Sequence, residues 1–197
     1  MRVLIAEDEF ILAYVLRSQL EDRGMKVVAL ASTGKAAIER CLETRPDVVL
    51  MDVGMPDLDG IEATRAIMHR CPTCVIITTA HADEGIVAQA RAAGAMGFLP
   101  KPVQAISVAE EIPGAQVRFA EFLRIHAEAL DFDQAVATQR LVEKAKARLV
   151  ADGEADAATA FDVLVERAAK SGLPLKAVAE SLAALGEPQD HAEPGGV

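Results

Sequence analysis

Polar residues punctuate this chain at the ends of short apolar runs. Val3-Leu4-Ile5-Ala6 runs into Glu7-Asp8, and Val48-Val49-Leu50-Met51 runs into Asp52. Val75-Ile76-Ile77-Thr78 runs into Thr79, and Gly97-Phe98-Leu99-Pro100 leads into Lys101-Pro102. Stretches with apolar residues at helical spacing separate these runs, so residues 1–112 read as five βα units around a parallel sheet. The first helix, near 10–23, would turn Ile11, Val15 and Leu20 inward and stop at Gly24, which suits a C-cap. Gly34, Pro46, Gly60, Pro72, Gly85 and Gly94 punctuate the later units, and Pro113-Gly114 is expected to end the fifth helix and mark a domain boundary.

No strand signal follows through residue 186. Phe122, Ile125, Ala129, Phe132 and Val136 recur at alternating spacings of three and four, as in a short heptad seam within a helical linker over 113–133. Two readings stay open: a seam between two copies of the chain, or a stripe packed against the chain itself. Helices near 134–151, 155–170 and 174–186 come next, broken at Asp152-Gly153 and Ser171-Gly172, with Pro174 at the last start. Their inward faces would be Leu141, Val142, Ala145 and Leu149, then Phe161, Leu164, Val165 and Ala168, then Leu175, Val178 and Leu182. The tail over 187–197 has no apolar face and is expected to be disordered.

In an open parallel sheet, ligands bind beyond the carboxyl ends of the strands, where all four polar endings converge. Clustered carboxylates repel one another unless a cation joins them, and hard oxygen ligands suit Mg²⁺. A lysine and a hydroxyl facing the same point complete a site for a phosphoryl group. A carboxylate can attack phosphorus directly, so the constellation predicts a phosphoryl-handling aspartate. Lys101-Pro102 is a candidate cis peptide that would aim the ammonium inward. Asp57 and Asp59, in Met-Pro-Asp-Leu-Asp-Gly, read as loop residues. A hydrolase with a nucleophilic aspartate would need an acid/base carboxylate two residues after Asp52, where this chain has Gly54.

The pair Glu7-Asp8, the segment from Asp47 to Gly60, Thr79-Ala80 and the segment from Gly94 to Pro102 resemble the receiver domain of bacterial two-component response regulators, in the family's order and spacing. The resemblance covers residues 1–112 and implies a flavodoxin-like, doubly wound five-stranded α/β fold. It also implies that Asp52 accepts a phosphoryl group from a phosphohistidine on a sensor kinase. Asp8, Asp52 and the backbone carbonyl of Gly54 would ligate Mg²⁺, with Glu7 acting through water. Thr79 and Lys101 would bind the phosphoryl oxygens, and Phe98 would turn inward when Thr79 moves. Such a protein is a regulator rather than an enzyme.

Composition narrows the partners. No apolar run approaches the roughly 20 residues needed to span a bilayer, and Met1-Arg2-Val3 enters a strand directly, so a cytoplasmic protein without signal peptide or membrane partner is expected. The net charge of −10 argues against indiscriminate binding to nucleic acid, and the absence of Trp argues against broad base-stacking platforms. Cys71-Pro-Thr-Cys74 has redox or metal spacing, with His69 and His81 nearby in sequence, but no second CxxC accompanies it. Cys41, Cys71 and Cys74 are too few for a disulfide framework, and Cys71 and Cys74 read as apolar fillers at the entry to the buried strand.

The helical C-terminal part resembles the ANTAR domain, the three-helix RNA-binding output of the AmiR and NasR antitermination regulators. Val142-Glu-Lys-Ala-Lys-Ala-Arg-Leu149, Ala160-Phe161, Arg167-Ala168 and Leu175-Lys-Ala-Val-Ala179 carry the likeness over 134–186. The family has Gly where this chain has Ala147, and a glycine there would permit close backbone approach. By resemblance, the partners are RNA hairpins; if the Phe122–Val136 stripe is an intermolecular seam, phosphorylation would shift the chain toward a homodimer. Residues 134–187 hold seven basic and eight acidic side chains, net −1, yet Arg140, Lys144, Lys146 and Arg148 lie close together with Glu143 the sole acid among them. These four are the candidate RNA-binding residues. Duplex DNA is not expected: a helix-turn-helix over 155–186 would present one Lys and one Glu, Lys176 and Glu180. The other alternative is an output that docks a protein partner.

Overall fold

A computed structural model describes residues 1–80, 83–129 and 131–184. His81 and the tail over 187–197 lie outside the described residues. The chain divides into two compact units, Met1–Leu123 and Arg124–Val197.

In the first unit, β1 (Arg2–Ala6), β2 (Lys26–Ala31), β3 (Val48–Asp52), β4 (Cys74–Thr79) and β5 (Gly97–Pro100) form one parallel sheet in the order β2-β1-β3-β4-β5. Helices α1 (Phe10–Glu21), α2 (Gly34–Thr44), α3 (Gly60–Arg70), α4 (Glu84–Ala92) and α5 (Ala105–Glu128) alternate with the strands. Val48, Val49, Leu50, Met51, Val75, Ile76 and Ile77 are all buried, the signature of central strands covered on both faces. The connections reverse direction between β1 and β3, the switch point where a crevice opens at the strand ends. The sheet therefore has the expected doubly wound, flavodoxin-like order.

Two sequence expectations are corrected here. On α1, Ala13, Leu16 and Leu20 are buried, whereas Ile11 and Val15 are 75% and 49% exposed. Residues 10–16 are apolar or aromatic all round, so two stripes competed for the core, and the stripe with the small Ala13 fits against the sheet. The second correction concerns Pro113, which lies inside α5 rather than at its end. Proline lacks the amide and crowds the carbonyl four residues back, a cost of about 3 kcal/mol. Val108, Ile112 and Ala115 are buried on either side of it, and that packing outweighs the local penalty. The two compact units meet in sequence at Leu123/Arg124, within α5.

The second unit contains α6 (Phe132–Ala151), α7 (Ala160–Ser171) and α8 (Leu175–Ala184). Asp131 caps α6 by accepting from the Gln134 amide. Gly153 and Gly172 adopt positive φ at the turns that follow α6 and α7. The second helix starts at 160 rather than 155, because the Asp156 carboxylate accepts from the amides of Ala158 and Thr159 and holds a turn there. Val142, Ala145, Leu149, Phe161, Leu164, Leu175 and Val178 are buried as expected, while Leu141, Val165, Ala168 and Leu182 are half-buried.

The expected heptad seam is interrupted. Helix α5 closes at Glu128 and α6 opens at Phe132, so the five seam residues do not lie on one helix. Phe122, Ile125, Phe132 and Val136 are buried within the single chain and Ala129 is half-buried.

Candidate functional site

Each acidic or basic residue at the strand ends is aimed by the strand before it. Glu7 and Asp8 follow β1, with the Glu7 amide bonded to the Ala31 carbonyl of β2 at 2.9 Å. Asp52 ends β3, and its register partner on β4 is Thr78, which places Thr79 one step beyond. Lys101 directly follows β5 and precedes Pro102 through a cis peptide, and its amide donates to the Thr79 carbonyl at 2.9 Å. The Lys101 ammonium lies 2.8 Å from Glu7 and 2.9 Å from Asp52. Glu7, Asp52 and Thr79 are buried, and Asp8 is exposed at the rim.

The loop after Asp52 is shaped by close backbone contact. A Cβ on Gly60 would lie 1.9 Å from the Asp52 carbonyl oxygen, so only glycine lets the start of α3 come up beneath the end of β3. Asp59 caps that helix by accepting from the amides of Ile61 and Glu62. Asp57 takes φ +66° in the turn, so both aspartates are loop residues as the sequence suggested. Gly54 is exposed beside Asp52, where a Cβ would sit 3.9 Å from Oδ2.

Electrostatics make this a strained cluster of acids around one base. Burial, helped by the neighbouring Asp52 charge, pushes the Glu7 carboxyl above the usual carboxylate range despite its bond to Lys101. Burial alone would lower Lys101, yet hydrogen bonds to Glu7 and Asp52 hold it above its ordinary value. Ligand oxygens of Glu7, Asp8 and Asp52 all lie within 4.8 Å of one another. Three hard oxygen donors at that spacing, with an excess of negative charge, fit a divalent cation of the Mg²⁺ kind.

Phe98 lies on β5 with Ile77 as its register partner, half-buried, and the Arg91 guanidinium sits over its ring at 5.8 Å. The cysteines are buried and free. Burial pushes the thiols of Cys41 and Cys74 up to about 12. Cys71 has Cys41 as its sulfur neighbour, at 3.7 Å. Their placement is that of apolar fillers.

Sequence reasoning missed the outer face of α1. Phe10, Ile11, Leu12, Tyr14 and Val15 are exposed next to the strand ends, with the Phe10 and Tyr14 rings 4.3 Å apart. The signal was present: an apolar run with no polar face leaves half of itself in water. Also missed was Arg124, whose guanidinium lies 4.8 Å over the Phe161 ring and 3.1 Å from Asp162.

On α6 the four candidate cations differ in setting. Arg140 and Lys144 are exposed, Lys146 is half-buried 3.3 Å from Glu143, and Arg148 lies 2.6 Å from Asp152. Arg140, Lys144 and Arg148 share a face, and Lys146 points elsewhere.

Comparison with known proteins agrees with both halves. Residues 3–113 match the response regulator receiver domain, and residues 131–182 match the ANTAR domain. The chain belongs to the two-component response regulators that join a receiver to an ANTAR output. It is 35% identical over 193 residues to the transcriptional regulatory protein PdtaR of Mycobacterium tuberculosis, covering 96% of this chain and 93% of that one. The response regulator domain of Thermotoga maritima CheB is 36% identical, with TM-score 0.50, over 63% of this chain and 91% of that one. The signal receiver domain of a modulated diguanylate cyclase from Desulfovibrio desulfuricans is 31% identical, with TM-score 0.56, over 60% and 95%. A protein-glutamate methylesterase of Natronomonas pharaonis is 42% identical over 107 residues, only 30% of its own length. Among the described residues, no helix is long and apolar enough to cross a membrane.

Proposed function

We propose that this chain is a cytoplasmic, phosphorylation-controlled regulator that accepts a phosphoryl group on Asp52 from a sensor histidine kinase. It then regulates gene expression through RNA stem-loops bound by its ANTAR unit, as a transcription antiterminator. The observation that carries the reading is the buried Asp52 carboxylate, 2.9 Å from Lys101, in a chain that also carries an ANTAR domain.

An Asp52 carboxylate oxygen attacks the phosphorus of the donor phosphohistidine; the new O–P bond forms as the P–N bond breaks, and the electron pair stays on the imidazole. Asp8, Asp52 and the Gly54 carbonyl, with Glu7 through water, would hold Mg²⁺, which offsets charge on the phosphoryl oxygens when bound. Lys101 exchanges its bond to Asp52 for one to the phosphoryl group, and the Thr79 hydroxyl donates to another phosphoryl oxygen. That draw on Thr79 frees the volume into which Phe98 turns. The exposed apolar face of α1 beside these residues gives the kinase a docking surface. Phosphorylation favours a homodimer, so two output units engage two hairpin loops at once.

The test is phosphorylation with Mg²⁺ and a small acyl phosphate, followed by binding to labelled stem-loop RNA. One phosphoryl group per chain, lost in Asp52→Asn, together with tighter RNA binding by the phosphorylated form, is the expected result. Undiminished labelling of Asp52→Asn would overturn the phosphoacceptor assignment. Absence of RNA binding in both states would favour an output that docks a protein.

A further inference from the structure

The cations of α6 fall into two kinds. Lys146 is 14% exposed and tied to Glu143, and Arg148 donates from Nε to Asp152 one turn on. Each of these charges is already matched by a carboxylate. Arg140 and Lys144 are exposed and, among the described residues, take part in no ion pair. They are four residues apart, so they stand side by side on one face, about 5–6 Å between Cβ atoms. The same face carries exposed Ala137 and Ala147 on either side of them. Asp133, also exposed, bounds it toward the N-terminus of the helix.

We infer that this strip, Ala137, Arg140, Lys144 and Ala147, is where an RNA backbone lies, with Arg140 and Lys144 on successive phosphates. The inference rests on the RNA-binding reading above and gives that site its surface and ligand chemistry. A cation with a carboxylate beside it brings little net charge to a phosphate, because that carboxylate repels the same phosphate. Arg140 and Lys144 bring their full charge, in a chain that is otherwise strongly acidic, net −10. The alanines matter equally. Methyl groups on both sides let a phosphodiester strand approach the helix far enough for an i, i+4 pair to straddle two phosphates. Ala147 therefore works as a spacing residue, a substitute for glycine that adds one methyl group on the nucleic-acid side.

Charge and spacing leave different signatures in salt. Each phosphate contact contributes about 0.7 to the slope of log affinity against log salt for single strands. Arg140→Ala and Lys144→Ala, in the phosphorylated full-length protein, should each weaken binding to a pool of stem-loop RNAs with randomised loops by on the order of tenfold. Each should flatten the salt slope by about 0.7. Lys144→Arg should restore both. Ala147→Met should weaken binding comparably with the slope unchanged, because it removes approach and not charge. Arg148→Ala and Lys146→Ala should stay within about twofold of the unsubstituted protein. Circular dichroism of every variant reports whether α6 is intact, and Lys144→Arg keeps the test valid if an alanine variant unfolds. If the unsubstituted protein binds hairpins but Arg148 or Lys146 carries the loss, the strip is wrong and the RNA reading stands. If the unsubstituted protein binds no hairpin in either phosphorylation state, both fall together.

Discussion

At the edge of the sheet, Lys101 meets Glu7 across 94 residues of chain, whereas on α6 Lys146 and Arg148 find carboxylates three and four residues away. The first arrangement exists only when five strands are in register; the second forms on any helix of this sequence. The difference extends to solvent. Lys101, Glu7 and Asp52 are at most 18% exposed at the side chain, so their mutual charges are weakly screened and Glu7 and Lys101 both sit above their ordinary pKa values. Local pairs on an open helix are each worth about 0.3–0.5 kcal/mol and fade with salt. Concentrated, folding-dependent charge suits covalent chemistry, and dispersed, solvated charge suits reversible contact with a polyanion.

The largest expected effect breaks the chemistry while leaving the fold. Asp52→Asn should abolish phosphorylation and also the phosphorylation-dependent part of RNA affinity, while basal RNA binding persists; filter binding with and without acyl phosphate separates the two. Next comes the long-range fit itself. Gly60→Ala forces a methyl against the Asp52 carbonyl, where a Cβ would come within 1.9 Å. It should cost about 3 kcal/mol, at the upper end for overpacking, read as a lower urea midpoint. The same methyl on an exposed residue of α6 should cost almost nothing. Lys101→Met leaves two buried carboxylates facing each other. The loss should be about 1–3 kcal/mol without added metal, less than for a fully buried pair because Lys101 is 18% exposed. Millimolar Mg²⁺ should recover most of it in thermal melts.

Smaller effects lie in the output unit. Arg124→Ala removes the guanidinium over Phe161 and the pair with Asp162, and should lower stability by about 0.5–1 kcal/mol, seen as a small shift of the melting curve. The smallest concerns pH. The Asp156 carboxyl lies below its ordinary value, chiefly through the Thr159 hydroxyl and amide. Its folded pKa is depressed, so its contribution is present above the unfolded value of 3.8 and is lost as pH falls through the lower folded value. Asp156→Asn should therefore remove a small, constant stabilisation at neutrality and flatten the acid limb of the unfolding profile below about pH 4, where the two proteins converge.

The legible parts of the sequence were those where one physical demand dominates. Buried central strands must be continuously apolar, and a polar residue that closes such a run, as Asp52 closes β3, has only the strand-end crevice to face. Convergence of Glu7, Asp8, Asp52 and Lys101 could be read for that reason. The errors fell where two demands compete. On α1 either of two apolar stripes could have turned inward, and the fold buries Ala13 and leaves Val15 exposed. At Pro113 local backbone preference lost to the packing of Ile112 and Ala115. The stripe from Phe122 to Val136 carried coiled-coil spacing, yet spacing does not record whether one helix spans it. Which cations of α6 pair with neighbours was legible in principle, since Glu143–Lys146 and Arg148–Asp152 stand at i, i+3 and i, i+4 spacing.

The outer face of α1 has a consequence for how the molecule would respond to its surroundings. The proposed docking surface of Phe10, Ile11, Leu12, Tyr14 and Val15 has no charged side chain among these five, so its affinity would hold or rise as ions accumulate. Phosphate contacts on α6 weaken under the same conditions. Under osmotic stress that concentrates ions, the proposed signal input would persist while the proposed grip on transcripts loosens, and the two ends of one regulator would respond to the same salt in opposite senses.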